Sequence, residues 1–401
     1  MPWIIGATLS VVVPLVVVYL YIGRKIARAL VELKGWSKAR SRWTVTLVVL
    51  ILNAFPIVFL LAYWAIGRDA ARLFTGYNLA LDLLLVYPFW FSLVIAAQSL
   101  VVFLLVDLLN VVALKLSPWW KERWGKLRGR FVVGVLAFMA VYASVVIVKD
   151  TWTVRTSERT VPVKDASLDG LRLVLITDVQ GDARTTMDRL RGYVRDVNEL
   201  KPDLVLFAGD LVTSGLDYID SSANVLGELA PRIAKIAAIG DHDYFSDRFM
   251  VRDGLLRNGF LVLEDSSYSI PIGSSSIAVT GITETYRQRV SDDGFALASR
   301  NANGSYKILL VHQPAERIAE MAEQAGYDLF LAGHTHGGGV GIGIPGIYTF
   351  APANLESRYV SGFYQLGDML ICVSNGIGMT LAPIRFHAPS EITLLTLRKT
   401  S

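Results

Sequence analysis

The sequence predicts a membrane-embedded helical region followed by an α/β domain, and three observations support this division. First, the chain of 401 residues is 53% hydrophobic and only 18% charged, and its long apolar runs lie before residue 150. Second, short apolar runs typical of buried strands alternate with helical patterns after residue 170. Third, acidic residues and histidines directly follow several of those runs. Strands that alternate with helices are typical of layered α/β domains.

Four apolar runs before residue 149 are long enough to cross a bilayer, which requires about 20 mostly apolar residues. They predict an all-α region of four transmembrane helices at about residues 3–22, 44–66, 79–110 and 131–148. The third run is longer than one span requires. Its middle has no Gly, Pro or Asn, so one long helix is predicted there rather than a hairpin.

The loops between these runs predict the orientation of the chain. Lys and Arg are concentrated in the first and third loops, whereas the second loop contains only Arg68 and Arg72. Because cytoplasmic loops carry an excess of Lys and Arg, we expect the N-terminus and everything after residue 148 on the extracytoplasmic side of the cell (inner) membrane. The lipid bilayer is thus an expected partner. Nucleic acid is not, because the basic residues that give the net charge of +4 flank membrane spans.

The remainder of the chain is predicted to be a polar linker at residues 149–170 and one α/β domain at residues 171–401. Within that domain, "FYQLGDMLICVSNG" and "PSEITLLTL" alternate like strands of hairpins. The only cysteine, Cys372, excludes an intramolecular disulfide and a metal site built from cysteines.

The candidate functional residues follow predicted strands from five separate segments. They are Asp178, Asp210, Asp241, His312, His334 and His336. Because ligand sites of open α/β sheets form at the carboxyl ends of strands, we expect these side chains to meet at one edge. Four of the five histidines, counting His242, fall at such positions, and we expect a structural role for the fifth, His387.

The order of the segments "TDVQ", "AGD", "GDHDY", "VHQP" and "AGHTHGGG" resembles the calcineurin-like metallophosphoesterases. The usual pattern of that family is D-x-H, G-D-x-x-D, G-N-H-[DE], H and G-H-x-H. The resemblance covers about residues 171–401, and the closing segment resembles the bacterial membrane-associated branch. It implies a four-layer α-β-β-α sandwich that holds two divalent metal ions.

The resemblance also assigns roles to residues. One ion would be held by Asp178, Asp210 and His336, with Gln180 at the position of the usual histidine. The second would share Asp210 and take Asp241, His312 and His334. His242 would stand beside the leaving group, and Asp243 would orient it. The chain departs from the pattern at Gln180, at Asp241 in place of Asn, and at Thr213 in place of the second Asp of G-D-x-x-D.

These departures favour hard ions, because Gln180 offers an amide oxygen instead of an imidazole and Asp241 adds negative charge. Mn²⁺ or Mg²⁺ is expected, with Zn²⁺ or Fe as alternatives. The predicted function is metal-dependent hydrolysis of phosphomonoesters or phosphodiesters, and the phosphorylated substrate could be linked to lipid or to the cell envelope. The alternative is a membrane sensor or scaffold with a degenerate, weakly active domain that binds metal or phosphate.

Overall fold

The computed structural model of the chain describes residues 3–67, 78–116, 118–345, 348–379 and 382–400. The chain forms two compact units. The first contains Met1–Val148 and Ile342–Thr349, and the second contains Lys149–Gly341 and Phe350–Ser401.

Among the described residues before 149, the first unit is built from helices. They are α1 (Trp3–Lys34), α2 (Lys38–Leu52), α3 (Ala54–Ile66), α4 (Leu79–Leu81), α5 (Tyr87–Leu116) and α6 (Pro118–Trp152), the last of which ends in the second unit. A π-helical turn at Asp82–Val86 joins α4 to α5. The third apolar run is therefore one long helix rather than a hairpin.

Within the described residues, Leu79–Ala113 and Glu122–Trp152 are long and apolar enough to cross a membrane. A third crossing would exist if α2 and α3, which are bent by 52°, form one span. The run predicted as one span at residues 44–66 is thus divided between two helices, α2 and α3, and its crossing of the membrane stays a prediction. Pro56 explains the bend, because a proline lacks an N–H and clashes with the carbonyl four residues earlier.

The number of spans remains a prediction. Residues 3–22 belong to α1, but the side chains at its start lie outside the described ones. Arg68 and Arg72, on which part of the orientation depends, also lie outside the described residues.

The second unit contains two six-stranded sheets. The first has the order β1-β14-β2-β3-β4-β5 and the second the order β12-β13-β9-β8-β7-β6. The strands of the first sheet are β1 (Val154–Val163), β2 (Arg172–Ile176), β3 (Leu204–Phe207), β4 (Ala234–Ala237), β5 (Phe260–Val262) and β14 (Ser390–Lys399). Those of the second are β6 (Ser266–Ile272), β7 (Ser275–Ile282), β8 (Tyr306–Val311), β9 (Leu329–Ala332), β12 (Gly362–Leu366) and β13 (Met369–Val373). A small separate sheet pairs β10 (Ile342–Ile344) with β11 (Tyr348–Phe350), and all of its residues except Phe350 belong to the first unit.

Alternate side chains of each central strand enter different cores, because successive residues of a strand point to opposite faces. In β2, Leu173 and Leu175 pack between the two sheets, whereas Val174 and Ile176 pack under the helices outside the first sheet. Those outer helices are α7 (Met187–Glu199), α8 (Ile219–Gly227) and α10 (Arg248–Arg257). The short helix α9 (Asp241–Ser246) precedes α10.

The second sheet is covered in the same way. Its outer face packs against α11 (Asp292–Ser299) and α12 (Glu316–Gln324) through a third core. The layers are therefore helix, sheet, sheet and helix, which confirms the predicted four-layer sandwich.

Two predicted segments differ from the structure. Residues 149–170 are not a linker, because α6 continues to Trp152 and β1 follows as an edge strand parallel to β14. Most residues of β1 are polar, most are exposed, and only Val161 and Val163 are fully buried. The sequence of this strand therefore resembles that of a polar linker. β14 does not form a hairpin with its chain neighbours. It lies between β1 and β2, whereas β12 and β13 do form an antiparallel hairpin.

The core between the sheets should dominate the stability of this unit. Leu206 is fully buried there, and we expect Leu206→Ala to lower the free energy of unfolding by about 2–5 kcal/mol because it leaves a cavity. Pulse proteolysis of the full-length protein in urea and detergent measures the change. Leu297→Ala is the control, since Leu297 is 61% exposed. Equal unfolding midpoints for the two variants would contradict this packing.

Candidate metal centre

The candidate ligands follow strands of both sheets at their carboxyl ends. Strands β2, β3 and β4 are mutually parallel, and so are β7, β8 and β9, so the chain leaves each set at a common edge. The residues found just after these strands are Asp178 after β2, Asp210 after β3, Asp241 after β4, His312 after β8 and His334 after β9.

Unusual backbone conformations aim these side chains at one another. Asp178, Gln180, Asp210, His334 and His336 all have φ between 50° and 71°. Positive φ is uncommon in residues other than glycine and costs about 1–2 kcal/mol each. Such conformations cluster at functional sites, where the surrounding structure holds them in place.

One group of donors consists of Asp241, His312 and His334, whose ligand atoms all lie within 4.8 Å of one another. His312 Nε2 is 2.8 Å from Asp241 Oδ1, and His334 Nδ1 is 3.1 Å from the same oxygen. The carboxylate and both rings are thus directed at a common point.

A second group consists of Asp178, Asp210 and His312. His312 Nε2 is 3.3 Å from Asp210 Oδ2, so the two groups adjoin. His336 Nε2 is 3.3 Å from Asp178 Oδ1, and Gln180 Nε2 donates a hydrogen bond of 2.8 Å to Asp210 Oδ2. The structure thus brings together all seven residues that the sequence predicted as ligands.

Two buried oxygens of this cluster have no hydrogen-bond donor among the described residues. They are Asp178 Oδ1 and Gln180 Oε1. His336 approaches Asp178 Oδ1, but the pair does not form a hydrogen bond. A buried oxygen without a donor costs free energy, and a cation would satisfy both atoms. Carboxylate and amide oxygens together with imidazoles are ligands for divalent metals. The residues present therefore fit a metal centre.

The cluster holds protons that a metal would displace. Burial lowers the pKa of His334, but hydrogen bonds to Asp241 and Glu356 outweigh it and raise this pKa to about 9. Burial raises the pKa of Asp241, whereas its hydrogen bonds to His312 and His334 bring it well below the usual range. Because ligands bind metals in their deprotonated forms, we expect metal binding to release protons.

His242 lies beside this cluster and is fixed by a backbone carbonyl. Its Nδ1 is 2.5 Å from the carbonyl oxygen of Thr213, and its amide donates to Asp210 Oδ1 at 2.9 Å. A carbonyl only accepts hydrogen bonds, so Nδ1 carries a proton and Nε2 is the nitrogen that can exchange one. The backbone carbonyl of Thr213 therefore orients the ring.

Asp243 has a different role from the one predicted. Its two carboxylate oxygens accept hydrogen bonds of 2.9 Å from the backbone amides of Gly240, Asp210 and Leu211. The carboxylate thus ties together the loops after β3 and β4. The prediction that Asp243 orients His242 is wrong. The Asp243 oxygens bind backbone amides, and His242 Nδ1 is bound by the Thr213 carbonyl instead.

Sequence reasoning missed two charged residues that contact the predicted ligands. Arg385 is fully buried, and its Nη2 lies 3.3 Å from His336 Nδ1. Glu356 Oε2 lies 3.5 Å from His334 Nε2 and accepts a hydrogen bond of 2.7 Å from the Tyr286 hydroxyl. Neither residue is near its partner in sequence, so no local pattern indicates the contact. His387 is held elsewhere, with its Nδ1 3.0 Å from the Gly341 carbonyl.

Glycine is required at position 333 because of close packing. A Cβ atom there would overlap with Thr177 Oγ1 and Asp178 Oδ2. We expect Gly333→Ala to displace the Asp178 carboxylate and to lower the metal content of the purified protein. Elemental mass spectrometry measures this content. Gly192→Ala is the control, because its nearest neighbour is 3.8 Å from the added atom. Unchanged metal content in Gly333→Ala would show that Asp178 is not needed as a ligand.

Comparisons with known proteins agree with this geometry. A family model described as calcineurin-like phosphoesterase matches residues 171–338. The chain is 30% identical over 237 residues to the uncharacterized metallophosphoesterase YkuE of Bacillus subtilis, covering 58% of this chain and 81% of that protein. It is 29% identical over 277 residues to a transmembrane protein with metallophosphoesterase domain of Danio rerio, covering 66% of this chain and 61% of that protein.

The similarity extends to an uncharacterized metallophosphoesterase of Aquifex aeolicus, which is 30% identical over 217 residues, 53% of this chain and 78% of that protein. The chain therefore belongs to the calcineurin-like metallophosphoesterases. That family uses a dinuclear metal centre. The apolar helices and the transmembrane relative associate this member with a membrane.

Proposed function

We propose that the chain is a membrane-anchored phosphoesterase that hydrolyses phosphomonoesters or phosphodiesters with two divalent metal ions. The observation that carries this proposal is the meeting of two adjoining donor groups, with His242 beside them. One ion would be held by Asp178, Gln180, Asp210 and His336. The other would be held by Asp210, Asp241, His312 and His334. When bound, such a pair of ions activates a water and neutralises the charge on phosphoryl oxygens.

The chain supplies the proton for the departing group. His242 is held by Thr213 through Nδ1, so Nε2 can deliver a proton to the leaving oxygen as a general acid. Burial lowers the pKa of His242, but the charges of Asp210 and Asp241 outweigh it and raise this pKa. A raised pKa favours the protonated form of the ring, which a general acid requires.

The donor set favours Mn²⁺ or Mg²⁺. Four of the seven ligands offer oxygen atoms from carboxylates or an amide (Asp178, Gln180, Asp210, Asp241), and hard ions prefer oxygen. Zn²⁺ and Fe are the alternatives, since His312, His334 and His336 offer nitrogen.

The substrate is proposed to be a phosphorylated molecule of the membrane or of the cell envelope. The apolar helices support a multi-pass anchor. The distribution of Lys and Arg supports an N-terminus and a catalytic domain on the extracytoplasmic side of the inner membrane. Protease added to intact spheroplasts should then degrade the second unit. Protection until the membrane is lysed would contradict this orientation.

Hydrolysis is tested with the full-length protein in detergent. Metal-stripped protein is given Mn²⁺, Mg²⁺, Zn²⁺ or Fe²⁺ and assayed on p-nitrophenyl phosphate and bis-p-nitrophenyl phosphate. We expect turnover with Mn²⁺ or Mg²⁺ that EDTA abolishes. Highest activity with Zn²⁺ would contradict the proposed metal.

A second candidate function is favoured by Gln180, whose neutral amide replaces a histidine ligand of the family pattern. The domain would then bind metal or phosphate as a sensor or scaffold. Metal binding without turnover of either ester, with any of the four ions, would support this candidate over the hydrolase.

A further inference from the structure

The two halves of the metal centre differ in the charges that surround them. On one side stand Asp241, His312 and His334, and on the other stand Asp178, Gln180 and His336. Asp210 belongs to both. Glu356 contacts His334 Nε2 and Arg385 contacts His336 Nδ1, so the two residues that contact these histidines carry opposite charges. Neither residue belongs to the sequence pattern of the family.

Arg385 is the charged residue that contacts His336. Its side chain is 1% exposed, and it donates hydrogen bonds to backbone carbonyls of four separate positions at 2.9–3.3 Å, namely His336, Asn375, Gly376 and Ala388. It also donates to the Gly378 carbonyl. Within the described part of the chain, none of these bonds goes to a carboxylate. The Arg385 guanidinium is therefore held next to His336 by backbone carbonyls.

The contact between Arg385 and His336 weakens this histidine as a ligand. Nη2 approaches Nδ1 at 3.3 Å, and a guanidinium only donates. Metal-binding histidines ordinarily donate their second N–H to a carboxylate or a carbonyl, which increases the basicity of the ring. A positive group at that position has the opposite effect.

Glu356 is the charged residue that contacts His334, and a carboxylate is an ordinary second partner for a metal-binding histidine. Its Oε2 lies 3.5 Å from His334 Nε2, while His334 Nδ1 faces Asp241. The Tyr286 hydroxyl holds this carboxylate by a bond of 2.7 Å and lies 3.1 Å from the same Nε2. This side therefore has two carboxylates of its own, Asp241 and Glu356. On the other side, the carboxylate of Asp178 is offset by Arg385, and Gln180 is neutral.

We infer that the centre consists of a tight site at Asp241, His312 and His334, and a weaker, exchangeable site at Asp178, Gln180 and His336. The tight site fills first, and filling of the weaker site sets the metal concentration at which the protein becomes active. This inference rests on the metal centre of the proposed function. It assigns Arg385 and Glu356 as positioning residues that act through His336 and His334.

Mn²⁺ titration of the metal-stripped, full-length protein tests the inference without measuring turnover. Electron paramagnetic resonance counts free and bound Mn²⁺ and distinguishes isolated ions from coupled pairs. We expect two steps whose dissociation constants differ by about 10- to 100-fold, the size of typical effects from residues that contact ligands. Below one ion per chain, the bound Mn²⁺ should give the spectrum of isolated ions, and coupling should arise only during the second step.

Variants assign each step to a site. Glu356→Gln should weaken the first step and leave the second unchanged. Gln180→His should strengthen the second step, because it adds an imidazole to the weaker site. Glu228→Gln is the matched control, since Glu228 is about as exposed as Glu356 and lies at the end of α8. The control should reproduce both steps of the unmodified protein.

Other outcomes would overturn the inference in distinguishable ways. Two ions that bind with equal affinity, or a Glu356→Gln variant that loses both steps equally, would overturn the asymmetry and leave the proposed hydrolase intact. Coupled pairs at the lowest Mn²⁺ concentrations would do the same. No binding of Mn²⁺ at all would overturn this inference together with the proposed metal centre.

Discussion

Replacing His242 by alanine is expected to lower kcat by about 10²- to 10⁴-fold, the usual contribution of a general acid, while both metal ions remain bound. The ring is held through Nδ1 by the Thr213 carbonyl, so its removal takes away a proton donor and not a ligand. Steady-state kinetics of the full-length protein, combined with metal analysis, measures both effects. The loss should be larger for an alkyl phosphate than for p-nitrophenyl phosphate, because a poor leaving group depends more on protonation.

His387→Ala is the matched control for this experiment. His387 Nδ1 is bound to the Gly341 carbonyl, and the ring is not part of either donor group. We expect its kcat to remain close to that of the unmodified protein. If His242→Ala instead loses metal, or if its deficit is the same for both leaving groups, then His242 does not act as the general acid.

Asp210→Asn is expected to bring activity to background and to reduce the bound metal to less than two ions per chain. Asp210 lies in the second donor group next to His312, and it also accepts hydrogen bonds from Gln180 Nε2 and the His242 amide. The substitution preserves the shape of the side chain but removes the charge that both ions are proposed to share. Metal analysis and the phosphatase assay check the two effects separately.

The fold of Asp210→Asn should survive, because the substitution relieves repulsion between buried carboxylates when no metal is present. An unfolding midpoint close to that of the unmodified protein would show this. Asp220→Asn, at a residue whose side chain is 64% exposed, serves as the control and should keep both metal and activity. Two tightly bound ions in Asp210→Asn would contradict the shared position of this carboxylate.

The architecture of the second unit was largely predictable because its signals are local. Buried strands such as β2 and β8 are short apolar runs, and the helix α7 begins at a Thr186 cap and carries one apolar face. The ligands were predictable for a related reason. A polar residue directly after a buried strand lies at the carboxyl end of the sheet, so its place follows from the strand alone.

Features that depend on distant partners could not be predicted in this way. The edge strand β1 has a polar pattern, and its partner β14 lies more than 200 residues later in the chain. The Thr213 carbonyl, which orients His242, is a backbone group without a signature in the sequence. The contact of Arg385 with His336 likewise exists only in the folded chain.

The bend between α2 and α3 shows a different limit of prediction from the sequence. Hydrophobicity alone describes residues 44–66 as one span, because an apolar composition does not report helix geometry. The break at Asn53 follows from Pro56, which was visible in the sequence but does not reduce hydropathy enough to divide the run.

Anomalous diffraction from crystals of the full-length protein grown with Mn²⁺ tests the central claim most directly. Two peaks about 3.5–4 Å apart are expected, one next to Asp178 and His336 and the other next to Asp241, His312 and His334, with the Asp210 carboxylate between them. A single peak, or peaks away from these side chains, would contradict a dinuclear centre at this edge of the sheets.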